Sequence, residues 1–216
     1  MTNEFPASLS VHRHHICIIC EGTEDYEYLM KLEKLGLWSR SYKFRMINAK
    51  KASHIPEAYE YSYRSDRFEL VLVFCDTDRP PHTEFERIRE KLSDLLHCPL
   101  SKVESVIMYA NPCTMQIMLR HFDPKVELST QNKKKNAPRI EELTGVKDYD
   151  AHADQIGAIC GMINRHNYKD MLENLRSIDH SQYTTVPSTN FGRFLQWFES
   201  DDTSWIDEIN SYLRQE

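Results

Sequence analysis

Two acidic residues separated by a single threonine, Asp76 and Asp78, follow an apolar run from Leu70 to Cys75. Such a run is typical of a strand that is buried on both faces of a parallel sheet. In open α/β sheets, ligands bind at the edge formed by the carboxyl ends of the strands. Because divalent cations such as Mg²⁺ prefer carboxylate oxygens, this spacing predicts a metal site just past the strand.

Acidic residues also follow the first apolar run of the chain. The stretch from Ile16 to Cys20 leads into Glu21-Gly-Thr-Glu24, where the glycine permits a sharp turn before a helix. Glu24 and Asp25 fall in the first turn of that helix, where the helix dipole alone favours acids. Glu21 precedes the turn and lacks this explanation. We therefore expect a functional role most strongly for Glu21 and next for Glu24. For Asp25 the helix dipole is a sufficient explanation.

Carboxylates at two strand ends suit phosphodiester chemistry. A divalent ion that they hold can activate a water molecule and neutralise charge on the leaving oxygen. Zinc is not expected, because no His or Cys stands at metal-ligand spacing around Asp76. The sequence therefore favours Mg²⁺ or Mn²⁺.

Two groups of lysines are candidates for binding a nucleic-acid backbone. Lys50 and Lys51 follow a predicted strand, and Lys133, Lys134 and Lys135 lie in a polar stretch. The lysine run is either a solvated loop or a flexible phosphate-binding loop, since clustered lysines release counterions when they neutralise phosphates. The net charge of −6 argues against wholesale wrapping by nucleic acid but permits such a local basic patch.

Alternating strand and helix patterns position these residues. Strands are predicted for residues 16–20, 42–48, 70–75 and 103–109, with helices over 23–35, around Tyr59 and Tyr63, and over 83–96. Thr23 is the expected N-cap of the first helix, and Thr83 and Glu86 have the capping-box pattern. This alternation predicts an α/β fold with a mainly parallel sheet of about four strands and right-handed crossovers.

The alternation of strand and helix patterns ends in the last 94 residues, where a polar stretch, 123–136, is followed by helical patterns alone. Helices are expected over 138–145, 156–163, 171–178, 191–198 and 206–213. We therefore divide the chain into a flexible N-terminus (1–11), an α/β domain (12–122) and a loop with a helical extension packed on it (123–216). No apolar stretch approaches the roughly 18 residues of a membrane span, and no secretory signal is evident, so we expect a cytoplasmic protein.

Several motifs together resemble the RloB-like branch of the Toprim superfamily. They are Glu21-Gly-Thr-Glu24, Asp76-Thr-Asp78, Asn111-Pro-Cys113 before an apolar stretch ending at His121-Phe122, and Pro187-Ser-Thr-Asn190. The resemblance covers residues 12–122 and implies a Toprim-like, Rossmann-like fold. Toprim proteins include topoisomerases, primases and OLD-type nucleases.

The resemblance also implies roles for the acids. In Toprim proteins the glutamate is an acid/base or metal ligand and the aspartate pair binds magnesium. By position these roles fall on Glu21, Asp76 and Asp78, with Glu24 a further metal ligand by similarity to the OLD-type pattern. RloB-like proteins belong to bacterial defence loci and are often encoded beside an ABC-type ATPase. The resemblance thus implies a role in phage defence with a partner ATPase; a homo-oligomer stays open.

One departure from the family pattern leaves two functions open. After Asn-Pro-Cys the family carries an aromatic residue and a glutamate, whereas this chain has Thr114 and Met115, with Gln116 the nearest polar substitute. The first hypothesis is a Mg²⁺- or Mn²⁺-dependent nuclease acting on DNA or RNA. The second is a catalytically weak or inactive binding or regulatory protein on the same scaffold.

A third possibility is a phosphatase of the haloacid-dehalogenase type, in which the first Asp of an Asp-x-Asp pair is the nucleophile. That motif normally follows the first strand and continues with a threonine. Here the strand comes late in the chain, and Pro80 occupies the threonine position. The phosphatase is therefore the least favoured of the three.

Overall fold

A computed structural model describes residues 13–77, 80–130, 133–179 and 182–215, with the backbone alone at 133 and 134. The predicted N-terminal segment 1–11 and Asp78 lie outside the described residues. The strands are β1 (His14–Cys20), β2 (Tyr42–Asn48), β3 (Leu70–Asp76), β4 (Ile107–Asn111) and β5 (Ser188–Thr189). The helices of the first part are α1 (Thr23–Lys34), α2 (Ile55–Tyr63), α3 (Thr83–Leu96), α4 (Leu100–Val103) and α5 (Thr114–Leu119). The later helices are α6 (Ala137–Thr144), α7 (Ala153–Met162), α8 (Arg165–Leu175), α9 (Phe191–Glu199) and α10 (Ser204–Arg214).

The five strands form one sheet in the order β2-β1-β3-β4-β5, in which β1 to β4 are parallel and β5 is antiparallel. Ile16 to Cys20 are fully buried, and so in effect are Leu70 to Cys75, which explains why both strands are continuous apolar runs. Cys20 of β1 stands opposite Phe74 of β3. The α/β prediction is confirmed, with one strand more than expected, and the carboxyl ends of β1 and β3 are neighbours.

The starts of α1 and α3 differ from the predictions. The N-cap of α1 is Gly22 rather than Thr23, because the Asp25 carboxylate accepts the Gly22 N–H at 2.9 Å. The N-cap of α3 is His82, so the predicted capping box at Thr83 is wrong. Its glutamate, Glu86, instead accepts a hydrogen bond from the Arg89 guanidinium, at 2.7 Å. The N-cap of each helix thus lies one residue before the predicted one.

The fourth strand begins later than predicted. Residues 100–106 form helical turns, and β4 starts only at Ile107. Val103 and Val106 are both fully buried, and their spacing of three residues fits a helical turn against the core rather than the alternation of a strand. The apolar content of this segment therefore indicated burial correctly but not conformation.

The C-terminal part is helical as predicted, but it also contributes a strand. Two-residue β5 pairs antiparallel with the end of β4. The next residue, Asn190, extends the contact: its side chain accepts the Tyr109 N–H at 2.9 Å and donates to the Ile107 carbonyl at 2.8 Å. The motif Pro187-Ser-Thr-Asn190 thus covers an open sheet edge, a structural role. Two residues are too short for a strand pattern in the sequence.

Aromatic contacts join the later helices to the sheet. Phe191 of α9 stacks on Phe74 of β3 with ring centroids 4.8 Å apart, and Phe198 packs edge-on against Phe44 of β2, also at 4.8 Å. The division of the chain at residue 122 stays a prediction. Within the described ranges, every helix is too short or too polar to cross a bilayer.

A histidine in this core makes the fold sensitive to acid. His121 is 3% exposed and its Nε2 lies 2.9 Å from the Tyr28 hydroxyl. Burial lowers the pKa of His121 to about 4, so the folded protein holds a neutral ring over a range in which the unfolded chain is already protonated.

We therefore predict that His121 lowers the free energy of unfolding as the pH falls from about 6.5 to about 4. The expected slope is up to about 1.4 kcal/mol per pH unit, because the unfolded state binds the extra proton. Urea unfolding of the wild type and of His121→Gln at several pH values measures this difference. His166→Gln, at a side chain that is 91% exposed, is the control. Parallel pH profiles for wild type and His121→Gln would contradict the prediction.

Candidate functional site

A cleft of about 420 Å³ opens at the carboxyl ends of β1 and β3. Its acidic lining comes from the turn after β1, the first turn of α1, the end of β3 and the loop before α7: Glu21, Glu24, Asp25, Asp76 and Asp150. Lys50 and Lys51, which follow β2, also line it. An apolar wall is formed by Met115, Leu128, Ile140 and Ile156. This is the size of small-molecule and cofactor sites, and it lies at the edge where parallel sheets bind ligands.

The two strand-end acids meet in this cleft. The Glu21 carboxylate accepts the backbone N–H of Asp76 through Oε2 at 3.0 Å, and the Glu21 N–H donates to the Phe74 carbonyl at 3.0 Å. The parallel register of β1 and β3 brings these residues together although 55 positions separate them. Asp78, the third predicted acid, lies outside the described residues, so its role stays a prediction.

Thr114, the first residue of α5, holds the Asp76 carboxylate. Its backbone N–H donates to Asp76 Oδ1 at 2.8 Å, and its hydroxyl lies 3.3 Å from the same oxygen. The hydroxyl also donates to Asp25 Oδ1. In the family pattern an aromatic residue stands at this position. The threonine thus links the acid of β3 to the acid of α1, a role that sequence reasoning missed.

Asp25 is the most deeply buried acid of the site. It is 4% exposed and accepts hydrogen bonds from Gly22 N–H and the Thr114 hydroxyl. Burial, with the charges of Glu21 and Glu24, raises the pKa of Asp25 to about 8, although the hydrogen bonds from Thr114 and Gly22 lower it. The helix-dipole explanation for Asp25 was therefore insufficient.

The sequence did hold a signal for the burial of Asp25. It stands three, four and seven residues before Tyr28, Leu29 and Leu32, which are the buried face of α1. An acid on the apolar face of a helix needs partners.

Glu24 receives its partner from the C-terminal part of the chain. The Tyr149 hydroxyl donates to Glu24 Oε2. Burial raises the pKa of Tyr149 above its ordinary value, and the adjacent Glu24 carboxylate raises it further, so the hydroxyl keeps its proton as a donor. No sequence signal pointed to this residue, because 125 positions separate the two.

The predicted lysines divide into two groups. Lys50 and Lys51 line the cleft, and the Lys50 N–H donates to Asn48 Oδ1 at 2.7 Å where the backbone turns with φ of 73°. Residues 133–136 form a 3₁₀ turn before α6 rather than an open loop. Lys135 is exposed outside the cleft lining, and the side chains of Lys133 and Lys134 are outside the described part.

Gln116 does not replace the missing family glutamate. Its amide nitrogen donates to the Val126 carbonyl at 2.7 Å, and its oxygen accepts the Leu128 N–H at 2.8 Å. Met115, in contrast, belongs to the cleft wall. At this position the cleft therefore has a thioether, whereas the pattern of the RloB-like family that the motifs resemble has a carboxylate.

The donors of the cleft fit a hard divalent cation in type. They are carboxylate oxygens, and the negative charge that raises the Asp25 pKa is charge that a cation would neutralise. Over the described ranges, which omit Asp78, no three His, Cys, Asp or Glu side chains form a group arranged to hold a metal ion. The chemistry of the acids thus fits Mg²⁺ or Mn²⁺, whereas a complete ligand set needs more than the described residues.

Comparison with known proteins finds no match. No protein-family model matches the chain, and neither a curated protein nor a solved structure matches it.

Replacing Asp25 with Asn tests the electrostatics of the site. The folded pKa lies above the unfolded one, so the wild type loses stability as the pH rises from about 4 to about 8. We predict that Asp25→Asn gains stability relative to wild type over this range, by up to about 1.4 kcal/mol per pH unit. Urea unfolding at pH 5 and pH 7.5 measures the gain.

Asp94→Asn, at an exposed position of α3, is the matched control and should follow the wild type. If Asp25→Asn is less stable than wild type by the same amount at both pH values, Asp25 is ionised in the folded protein and the prediction is wrong.

Proposed function

We propose that this protein is a Mg²⁺- or Mn²⁺-dependent nuclease of the Toprim type that cleaves nucleic-acid phosphodiesters. The observation that supports it most is the convergence of Glu21 and Asp76 in a cleft that Lys50 and Lys51 also line. The mainly parallel sheet agrees with a Toprim-like fold, and the motifs described above support membership of the RloB-like branch.

In this proposal Glu21, Glu24 and Asp76, with Asp78 from the sequence, would hold the metal ion. The ion would supply an activated water and neutralise charge on the leaving oxygen. Lys50 and Lys51 bind the phosphate backbone by charge.

Other residues keep this arrangement in place. Thr114 fixes the orientation of Asp76 through its backbone N–H, which donates to Asp76 Oδ1 at 2.8 Å. The apolar wall around Met115 closes one side of the cleft that holds the acids.

The family resemblance also supports a proposal for the role of this protein in the cell. We propose a cytoplasmic effector of phage defence that acts on DNA or RNA with a partner ABC-type ATPase, and a homo-oligomer is compatible with it.

Asp76→Asn tests the nuclease directly. The asparagine oxygen still accepts the Thr114 N–H, so the fold is retained while the charge that binds metal is lost. We predict at least a roughly 100-fold loss of Mn²⁺-dependent cleavage of single- and double-stranded DNA and RNA. Asp94→Asn serves again as the control and should cut like the wild type. A wild-type protein that is inert on every substrate with Mg²⁺ and Mn²⁺ overturns the proposal.

The second candidate is a catalytically weak or inactive binding or regulatory protein on the same scaffold. Met115 in the cleft wall and Gln116 bonded elsewhere favour it, because neither supplies the carboxylate that the family carries.

Calorimetry with Mn²⁺ separates the two candidates. The nuclease predicts binding heat that Asp76→Asn abolishes, whereas the inactive protein shows no such heat. Met115→Glu, which restores a carboxylate, is expected to tighten Mn²⁺ binding roughly tenfold if that position supports the metal. Met115→Gln, similar in size but uncharged, is the control and should leave the affinity unchanged.

A further inference from the structure

The loop between α6 and α7 carries a tyrosine into the cleft. Tyr149 is half-buried, and its hydroxyl donates to Glu24 Oε2. Tyr149, Asp150 and Ala151 all line the cleft. This loop therefore forms part of the site, although it comes from the helical part of the chain, far from the acids in sequence.

One side chain holds this loop in shape. The amide nitrogen of Gln155 donates to the Lys147 and Asp148 carbonyls, each at 3.0 Å. Its oxygen accepts the N–H groups of Asp150 and His152 at 2.9 and 3.3 Å. Four hydrogen bonds from one residue of the first turn of α7 thus fix the backbone on both sides of Tyr149.

The loop backbone also adopts an unfavourable conformation. Asp148 and Ala151 have φ of 48° and 57°, in the left-handed region. For a residue with a Cβ this conformation is unfavourable, and it persists only where the surroundings enforce it. A loop that only connected two helices could carry glycine at these two positions and so avoid the unfavourable backbone conformation. The bonds from Gln155 enforce a conformation that presents Tyr149 to Glu24.

We propose that Tyr149 is a positioning residue that orients the Glu24 carboxylate in the cleft, with the loop braced by Gln155 setting the contact. The inference rests on the proposed function, in which Glu24 is a metal ligand. A glutamate side chain loses rotamer freedom when it binds a metal, and a hydrogen bond already present in the folded protein reduces that loss. Partners of this kind typically contribute 10–100-fold to metal affinity.

A purely structural role for Tyr149 makes a different prediction. In that case the hydroxyl only anchors the loop, and its loss lowers stability without a specific effect on metal binding. Tyr168 provides the matched comparison, because its hydroxyl donates to the Glu199 carboxylate at 2.5 Å and neither residue lines the cleft.

The experiment measures Mn²⁺ affinity by calorimetry on the full chain, below the unfolding temperature of every variant. We expect Tyr149→Phe to weaken Mn²⁺ binding roughly tenfold and Tyr168→Phe to leave it within about twofold of wild type. Gln155→Ala should weaken binding like Tyr149→Phe. Gln155→Glu, which keeps the two acceptor contacts and loses the two donor contacts, should fall between wild type and Gln155→Ala.

Hydrogen exchange without metal gives a second readout. The amides of Asp150 and His152 donate to Gln155, so Gln155→Ala should lose their protection while Tyr168→Phe keeps it. Unchanged protection of both amides in Gln155→Ala would overturn the inference that the Gln155 side chain holds the loop in shape.

The remaining outcomes separate this inference from the proposed function. If Glu24→Gln weakens Mn²⁺ binding but Tyr149→Phe does not, the positioning role is overturned and the nuclease proposal stands. If Tyr149→Phe and Tyr168→Phe weaken binding equally, the effect is a general loss of stability and the inference is overturned. A wild type that binds no Mn²⁺ overturns both the inference and the proposed function.

Discussion

The site depends on the concentration of negative charge at the carboxyl ends of β1 and β3. Glu21, Glu24 and Asp25 lie close enough that their charges, added to burial, raise the pKa of Asp25 to about 8. Like charges at partly buried positions oppose folding unless donors or protons compensate them. The surrounding structure supplies these donors: the N–H groups of Gly22 and Asp76, and the hydroxyls of Thr114 and Tyr149.

This compensation joins distant parts of the chain. The donors for Asp76 come from the start of α5, whereas the donor for Glu24 comes from the loop before α7. The apolar wall depends on Gln116, whose side chain fixes the segment around Leu128. Glu24 therefore has its contact with Tyr149 only when the C-terminal part of the chain is folded against the sheet edge.

The acidic side chains of such a cleft lower the stability of the free protein but attract cations. Charges that are costly in the free protein become favourable once a cation is bound, because the cation neutralises the repulsion. The thioether of Met115 adds no charge to the wall of this cleft. The proposal of an inactive binding or regulatory protein rests on this position.

Apolar runs and apolar periodicity in the sequence determined the main strands and helices, and with them the placement of Glu21 and Asp76 at strand ends. Neighbouring residues suffice for this, because each buried strand or helix face needs its own apolar side chains. The sequence also held an unused signal for Asp25, which shares the buried face of α1. Only the tertiary structure decided the late start of β4, the two-residue β5, and the roles of Thr114 and Tyr149. The Asp25–Thr114 and Glu24–Tyr149 contacts span 89 and 125 positions, and hydrogen bonds over such separations leave no periodic pattern in the residues between them.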